Sequence, residues 1–168
     1  MNKNVVLRPV QKEEYAEVRK LAETIWPVCY KDILSVEQIR YMMDMMYSEE
    51  VISQEVSEGV QYYFVEADGK TAGYLAWGAW LTVSETVKLH KLYLLPEMQG
   101  QGIGSRVIEL VKQQLENSGV RRLRLNVNRL NSNAIKCYSS NGFTMVQLEN
   151  NDIGNGFFMT DYVMEAKI

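Results

Sequence analysis

Three glycines at alternate positions form the clearest chemical signal in the sequence. Gly100, Gly102 and Gly104 lie in the segment Gln99-Gly100-Gln101-Gly102-Ile103-Gly104-Ser105, where a strand pattern gives way to a helix pattern. Backbone N–H groups at the start of a helix have no partner within the helix and can bind anions. The segment therefore predicts a cradle for a pyrophosphate group.

The spacing of the glycines distinguishes this loop from two common nucleotide-binding loops. A P-loop needs Lys followed by Ser or Thr after its last glycine, but Ser105-Arg106 follows here, which disfavours ATP or GTP hydrolysis. A dinucleotide fingerprint needs GxGxxG and an acidic residue about 20 residues later, where this chain has Val120-Arg121-Arg122. These arginines suit a 2′-phosphate, so an NADP-dependent reductase stays open, as does a tight turn that binds no ligand.

The elements before the loop comprise a strand, three helices and three further strands. Hydrophobic periodicity predicts a strand at residues 5–8 and a helix at 12–25 that Pro27 ends. A capping box at Ser35 opens a second helix, and Ser48 caps a third that ends at Gly59. Strands follow at residues 60–67, 71–80 and 86–95, with Asp68-Gly69 as a hairpin turn between the first two.

The elements after the loop complete a mixed α/β chain. The pattern predicts a helix at residues 102–117, a strand at 120–127 and a short helix from Ser132 to Asn141-Gly142. A closing hairpin is expected from residues 143–148 and 157–167. The sequence shows no linker or internal repeat, so we expect residues 1–168 to form a single domain.

Composition narrows the class of protein. The 168 residues include 18 basic and 21 acidic side chains, a net charge of −3, which disfavours nucleic acid as a partner. The most apolar stretch, residues 74–83, is far shorter than the roughly 20 residues of a membrane helix. The N-terminal apolar run is too short for a signal peptide, so we predict a cytoplasmic protein. Two distant cysteines and one histidine predict neither a disulfide framework nor a metal site.

A second motif lies after the glycine loop. The pattern Asn131-x-x-Ala134-Ile135-x-x-Tyr138-x-x-x-Gly142-Phe143, together with Gln99-x-x-Gly102-x-Gly104 after the strand at residues 89–96, resembles the GNAT superfamily of acyltransferases. The order of elements extends this resemblance over nearly the whole chain. Residues 26–47 and 153–164 resemble a bacterial subgroup that includes polyamine acetyltransferases of the PaiA type.

The resemblance implies a fold and a co-substrate. The fold is a mixed, mostly antiparallel sheet of about seven strands with flanking helices, in which the fourth and fifth strands splay apart. Acetyl-CoA would lie in that splay, with its pantetheine arm on the fourth strand and its pyrophosphate on the glycine-loop amides. Asn131 would orient the arm. The residues implied in cofactor binding are Leu92, Tyr93, Leu94, Gln99, Gly100, Gln101, Gly102, Ile103, Gly104, Ser105, Asn131 and Tyr138.

The resemblance also implies a catalytic sequence. An amine attacks the thioester, a backbone N–H near Leu92 stabilises the oxyanion by about 3 kcal/mol or more, and Tyr138 donates a proton to the leaving thiolate. Some family members place a glutamate base twelve residues before this tyrosine, where this chain has Asn126. His90 is a candidate base, because alternation puts it on one strand face with Leu92 and Leu94, although a lone histidine is more often structural. A water chain is the other route, and Glu97 and Glu66 are weaker candidates because charged residues at strand ends are usually solvated.

The acceptor is the least specified part of this interpretation. Trp26, Tyr30, Asp32 and Trp77, with Trp80, could line a site for a cationic amine, because aromatic faces and acids bind cations. The same aromatic residues could equally belong to the core. The acceptor would be a small molecule such as a polyamine, or a peptide amine, and the chain could form a homodimer. A covalent route through Cys137 and a non-catalytic CoA-binding module are the alternatives to direct transfer.

Overall fold

The computed structural model describes residues 2–79 and 84–168, which contain seven strands and five α-helices. The strands are β1 (Val5–Pro9), β2 (Gln61–Ala67), β3 (Lys70–Ala79), β4 (Thr86–Leu94), β5 (Arg122–Asn128), β6 (Thr144–Gly154) and β7 (Phe157–Lys167). The helices are α1 (Tyr15–Cys29), α2 (Val36–Tyr47), α3 (Glu49–Ser57), α4 (Ile103–Leu115) and α5 (Ser132–Ser140). Short 3-10 helices at Lys12–Glu14 and Pro96–Met98 precede α1 and the glycine loop.

The seven strands form one sheet in the order β1-β2-β3-β4-β5-β7-β6. β4 and β5 run parallel, whereas the other five neighbouring pairs run antiparallel. The predicted mixed, mostly antiparallel sheet is confirmed. A dinucleotide-binding sheet is mostly parallel, so this topology does not favour the reductase.

The sheet separates two hydrophobic cores, because successive side chains of a strand point to opposite faces. Helices α4 and α5 pack on one face, where Val107 and Leu125 belong to the same buried cluster. Helices α1, α2 and α3 cover the opposite face, around the fully buried Trp26, Tyr47 and Tyr74. We call these the α4 face and the α1 face.

Helix α1 continues through Pro27, so the prediction that Pro27 ends the helix was wrong. Proline removes one hydrogen bond, to the carbonyl four residues earlier, but Pro27 is exposed and water can satisfy that carbonyl. The buried side chains of Trp26 and Tyr30 hold the last turn, where Tyr30 N donates to Trp26 O at 2.9 Å. Tertiary packing therefore extends the helix to Cys29.

Strand β6 is longer than its hydropathy predicts. The polar residues after Leu148 continue the strand, and Asn151 and Asp152 pair with Met159 and Phe158 of β7. Their side chains are exposed, because β6 is at the edge of the sheet. Backbone pairing with β7 thus stabilises a segment whose composition is typical of a loop.

The predicted hairpin turn forms, whereas the predicted capping box forms only in part. Asp68 and Gly69 have φ of 50° and 78°, as a tight hairpin turn between β2 and β3 requires. Ser35 caps α2 by accepting from Gln38 N at 3.1 Å. The Gln38 side chain does not complete the capping box, since it donates to Phe158 O at 2.8 Å and fastens α2 to the β6–β7 hairpin.

No helix within residues 2–79 and 84–168 is long and apolar enough to cross a membrane. The cytoplasmic location stays a prediction. Over the same residues, no group of three or more His, Cys, Asp and Glu side chains is arranged as metal ligands would be.

Candidate active site

The sheet opens between β4 and β5. These parallel strands pair over four residues, and their last Cα pair joins Leu89 to Leu125. Leu92 and Leu94 follow in the open segment, half-buried against the α4 face. An extended ligand can add to such an open strand edge by main-chain hydrogen bonds. The predicted splay is therefore present, at the position expected for a pantetheine arm.

A bulge in β4 lies where the sheet opens. The residues before and after His90 pair with consecutive residues of β3, so His90 has no Cα partner there. The extra residue interrupts the alternation of side chains, and Leu89 and Leu92 pack on the same α4 face although they are three positions apart. The prediction that His90 shares a face with Leu92 and Leu94 was wrong. His90 lies on the α1 face, with Lys91.

The surroundings of His90 favour its neutral imidazole. Although the side chain is exposed, desolvation and the positive charges of Lys88 and Lys91 lower the pKa of His90 to about 4. A base of that strength takes a proton from an alkylammonium, whose pKa is about 10.4, only with difficulty. His90 as the general base stays a prediction, and its electrostatics do not support a strong base.

The glycine loop leaves backbone N–H groups free at the start of α4. Gly100 and Gly102 have left-handed φ values of 72° and 77°, and the first bond of the helix joins Arg106 N to Gly102 O at 3.1 Å. The N–H groups of residues 103–105 therefore have no acceptor within the helix. A Cβ on Gly102 would meet no atom within 4 Å, so open space lies above the loop.

The side chains of two glutamines tie this loop to the end of β4. Gln99 Nε2 donates to Leu94 O at 3.1 Å, and Gln101 Nε2 donates to Glu97 O at 2.6 Å. The open strand edge and the free amides are consequently held next to each other.

Helices α4 and α5 meet directly behind the loop. A Cβ on Gly104 would lie 3.3 Å from Cys137 Sγ, so the third glycine permits close helix packing. Asn141 Nδ2 donates to Ser105 Oγ at 2.9 Å and fixes the first turn of α4. The sequence predicted only the end of α5 at Asn141, because the contact joins residues 36 positions apart.

Tyr138 on α5 is buried, with its ring edge-on to Phe143 at a centroid distance of 5.6 Å. Burial raises the pKa of Tyr138, and the nearby thiols of Cys137 and Cys29 contribute further. The phenol is therefore protonated at neutral pH and can donate a hydrogen bond or a proton. Tyr138 belongs to the buried cluster of the α4 face, next to Cys137, which lies against Gly104 of the glycine loop.

Asn131 caps helix α5. Its Oδ1 accepts from Ala134 N at 3.4 Å, and its Nδ2 lies 3.8 Å from Cys29 Sγ. This is the structural role that an asparagine has at a helix start. A second role, orienting a pantetheine arm, stays a prediction.

Two of the aromatic residues predicted to bind the acceptor belong to the core of the α1 face. Trp26 is 1% exposed and Tyr30 4% exposed. Their rings pack at 4.8 Å, and the Tyr30 hydroxyl bonds that of Tyr93 at 2.9 Å. Their burial favours the core interpretation. Asp32 is exposed in the loop that follows α1.

Trp77 lies on the opposite face from Trp26 and Tyr30. It is buried on the α4 face, where its ring stacks on Tyr63 at 6.4 Å. The prediction that all these aromatic residues line one acceptor site was wrong for Trp77, because the alternation of side chains along β3 directs it to the other core. Trp80 lies outside the described residues.

A buried ion pair supports the bulge from the α1 face. Lys91 is 3% exposed, and its Nζ lies 3.0 Å from Glu55 Oε2 and 2.7 Å from the Tyr62 hydroxyl. Tyr62 in turn donates to Glu55. Because these residues come from β4, α3 and β2, no spacing in the sequence could have indicated the network.

Comparison with known proteins agrees with this geometry. A sequence model described as the acetyltransferase (GNAT) domain matches residues 30–166. The chain belongs to the GNAT acetyltransferase family.

Similar sequences and structures are found in Thermoplasma acidophilum and Escherichia coli. The spermidine N(1)-acetyltransferase is 24% identical over 169 residues, which cover 98% of each chain. The crystal structure of the PaiA N-acetyltransferase in complex with coenzyme A has a TM-score of 0.80 and 24% identity, and covers 98% of this chain and 99% of that chain. The ribosomal-protein-S18-alanine N-acetyltransferase of Escherichia coli has a TM-score of 0.71 and 19% identity, covering 98% and 94%. The two structural likenesses show the fold.

Acetyl-CoA is the co-substrate of this GNAT acetyltransferase, and the chain transfers its acetyl group to an amine. The site fits that molecule in two respects. The free amides of residues 103–105 suit a pyrophosphate, and the open edge of β4 suits an extended amide-containing arm. The family match favours neither the reductase nor a binding module without catalysis.

Proposed function

We propose that residues 1–168 act as a single N-acetyltransferase domain for a primary amine on a small molecule, with a polyamine as the first candidate. The observations that support this proposal are the splay, the free amides at the start of α4, and the packing of α5, the helix that carries Tyr138, against Gly104 of the loop. The acceptor class is supported by the relative named for spermidine, which matches along 98% of each chain.

The backbone has two tasks in the proposed reaction. Leu92 and its neighbours in the open segment of β4 hold the pantetheine arm, and residues 99–105 hold the pyrophosphate. A backbone N–H near Leu92 stabilises the oxyanion that forms when the amine attacks, an interaction worth about 3 kcal/mol or more.

Tyr138 protonates the leaving thiolate in this proposal. Its buried phenol carries the proton at neutral pH, because burial raises its pKa. The raised pKa also makes it a weak acid, and a thiolate is already a fair leaving group. We therefore expect a contribution at the lower end of the 10²- to 10⁴-fold range of positioned acids.

The position twelve residues before Tyr138, where some family members have a glutamate base, holds Asn126. The amine therefore has no strong side-chain base there to take its proton. His90 lies across the opening of the splay from Asn126, because both follow the last β4–β5 pair. Its neutral imidazole can accept a proton and pass it to water, so we retain His90 as a relay.

The test is acetylation of a panel of amines, read by the mass of the product. We expect acetyl-CoA consumption with spermidine and a product heavier by one acetyl group. A peptide with an N-terminal alanine is the second candidate, because the fold is shared with an alanine N-acetyltransferase. Binding of acetyl-CoA without acetylation of any amine would contradict the proposal. Light scattering on the same sample tests the predicted homodimer.

A further inference from the structure

A polar cluster lies beside the splay on the α1 face. Asn126 on β5, Glu149 on β6 and Asp161 on β7 come from three adjacent strands. Asn126 Nδ2 donates to Glu149 Oε2 at 3.0 Å, and its amide also interacts favourably with the Asp161 carboxylate. Glu149 and Asp161 are Cα partners in the β6–β7 ladder. We call these three residues the acidic cluster.

Two buried oxygen atoms of the acidic cluster lack a hydrogen-bond donor. Across residues 2–79 and 84–168, neither Asp161 Oδ1 nor Asn126 Oδ1 has a partner. Asp161 is only 8% exposed, and a buried acceptor without a donor is costly, more so when it is charged. The acidic cluster therefore presents acceptors that a ligand with N–H donors could satisfy.

The charges around the acidic cluster leave a negative excess. Lys91 and Glu55 pair at 3.0 Å, and Arg124 and Glu165 pair at 2.6 Å, so each pair is neutral as a unit. Lys88 is the cation whose charge acts on the two carboxylates of the acidic cluster. Burial raises the pKa of Asp161, and the charge of Glu149 raises it further, so a second cationic partner would stabilise the ionised carboxylate.

The position of the acidic cluster fits a part of the acceptor that does not react. Asn126 is the first β5 residue beyond the last β4–β5 pair, and β7 is the next strand beyond β5. Asp161 is the Cα partner of Asn128, beyond that last pair, so it lies across the splay from β4, at least two strand spacings or roughly 10 Å away, a distance that the chain of a polyamine spans. A carboxylate that pairs with an amine stabilises its charged ammonium form. Because an ammonium cannot attack a thioester, the amine bound there is not the one that reacts.

We propose that the acidic cluster binds a second, non-reacting ammonium group of the acceptor, with Asp161 Oδ1 and Asn126 Oδ1 accepting its N–H bonds. An ammonium has three donors and one positive charge, which match the unpaired oxygen atoms and the excess negative charge. The inference rests on the proposed N-acetyltransferase function. It assigns the selection of diamines and polyamines over monoamines to three side chains.

The experiment compares spermidine with a straight-chain monoamine at saturating acetyl-CoA. Asp161→Asn keeps the shape of the side chain and removes its charge. We expect KM for spermidine to rise about tenfold or more, with kcat changed little and the kinetics of the monoamine changed less than twofold. Asp152→Asn is the matched control, because Asp152 is exposed on the same hairpin and an asparagine oxygen can keep its bond to Gly154 N.

Each outcome bears on one proposal. The inference is overturned if Asp161→Asn discriminates between the two amines as strongly as the parent does. It is also overturned if the parent acetylates both amines equally well. A parent that acetylates no amine overturns the proposed function. In that case, a thermal shift with spermidine that Asp161→Asn abolishes supports the acidic cluster, and an unchanged shift overturns it. If Asp161→Asn does not fold, Glu149→Gln on the edge strand replaces it, with a several-fold rise in KM expected.

Discussion

The α4 face and the α1 face of the splay carry binding groups of different kinds. On the α4 face, the groups are the free backbone amides of residues 103–105, which follow the left-handed Gly100 and Gly102. On the α1 face, the groups proposed to bind the acceptor are the side chains of Asn126, Glu149 and Asp161, which come from separate strands. In the proposed function, the backbone therefore holds the co-substrate, whereas side chains select the acceptor.

The largest effect should come from Tyr138, on the α4 face. Tyr138→Phe keeps the ring against Phe143 and removes the hydroxyl. We expect kcat to fall about 10²-fold, while the melting temperature and the thermal shift with acetyl-CoA change little. A kcat within about twofold of the parent would mean that the proton reaches the thiolate by another route.

The next effect concerns the stability of the α1 face. Glu55→Ala leaves the Lys91 ammonium buried without its partner. Removing one partner of a buried pair is costly, and since Glu55 is partly exposed we expect about 2 kcal/mol, or about 4 to 8 °C in Tm. The control is Glu109→Ala, which breaks the exposed pair with Arg106 and should cost less than about 1 kcal/mol. Equal losses for both variants would contradict the assigned role of the Lys91 network.

The sequence predicts groups from one short segment better than groups that come from several strands. Gly102 and Tyr138 could be proposed from the sequence because their motifs are local, and a turn or a helix places them without reference to distant residues. The face of His90 was predicted wrongly, since the bulge depends on how β3 and β4 pair. Asp161 gave no signal, because its neighbours Asn126 and Glu149 come from other strands.

A smaller effect is expected at Cys137, behind the loop on the α4 face. Burial raises the pKa of the Cys137 thiol, so its thiolate, the form that a covalent route needs, is disfavoured. We expect Cys137→Ala to keep kcat within about twofold of the parent. Loss of activity at unchanged acetyl-CoA affinity would instead support a covalent acetyl-cysteine route.

The smallest effect concerns pH and His90. Because the folded pKa is about 4, below the ordinary 6.5, the unfolded chain binds a proton first as the pH falls. His90 therefore lowers stability as the pH decreases from about 6.5 towards 4 and has no such effect above pH 7. His90→Gln should make Tm less sensitive to acid. It should leave the pH profile of activity above pH 7 unchanged, and a shifted profile there would show a stronger base than this pKa allows.

The central claim, that the glycine-loop backbone holds acetyl-CoA, is tested most directly by thermal shift on two valine variants. Gly102 and Gly119 have similar left-handed φ values of 77° and 86°, and a Cβ at either meets no atom within 4 Å, but only Gly102 lies in the loop. At a hundredfold excess over Kd, acetyl-CoA should stabilise the parent and Gly119→Val by about 2.7 kcal/mol, or about 5 to 10 °C. Gly102→Val should show no shift. A full shift in Gly102→Val would contradict the claim.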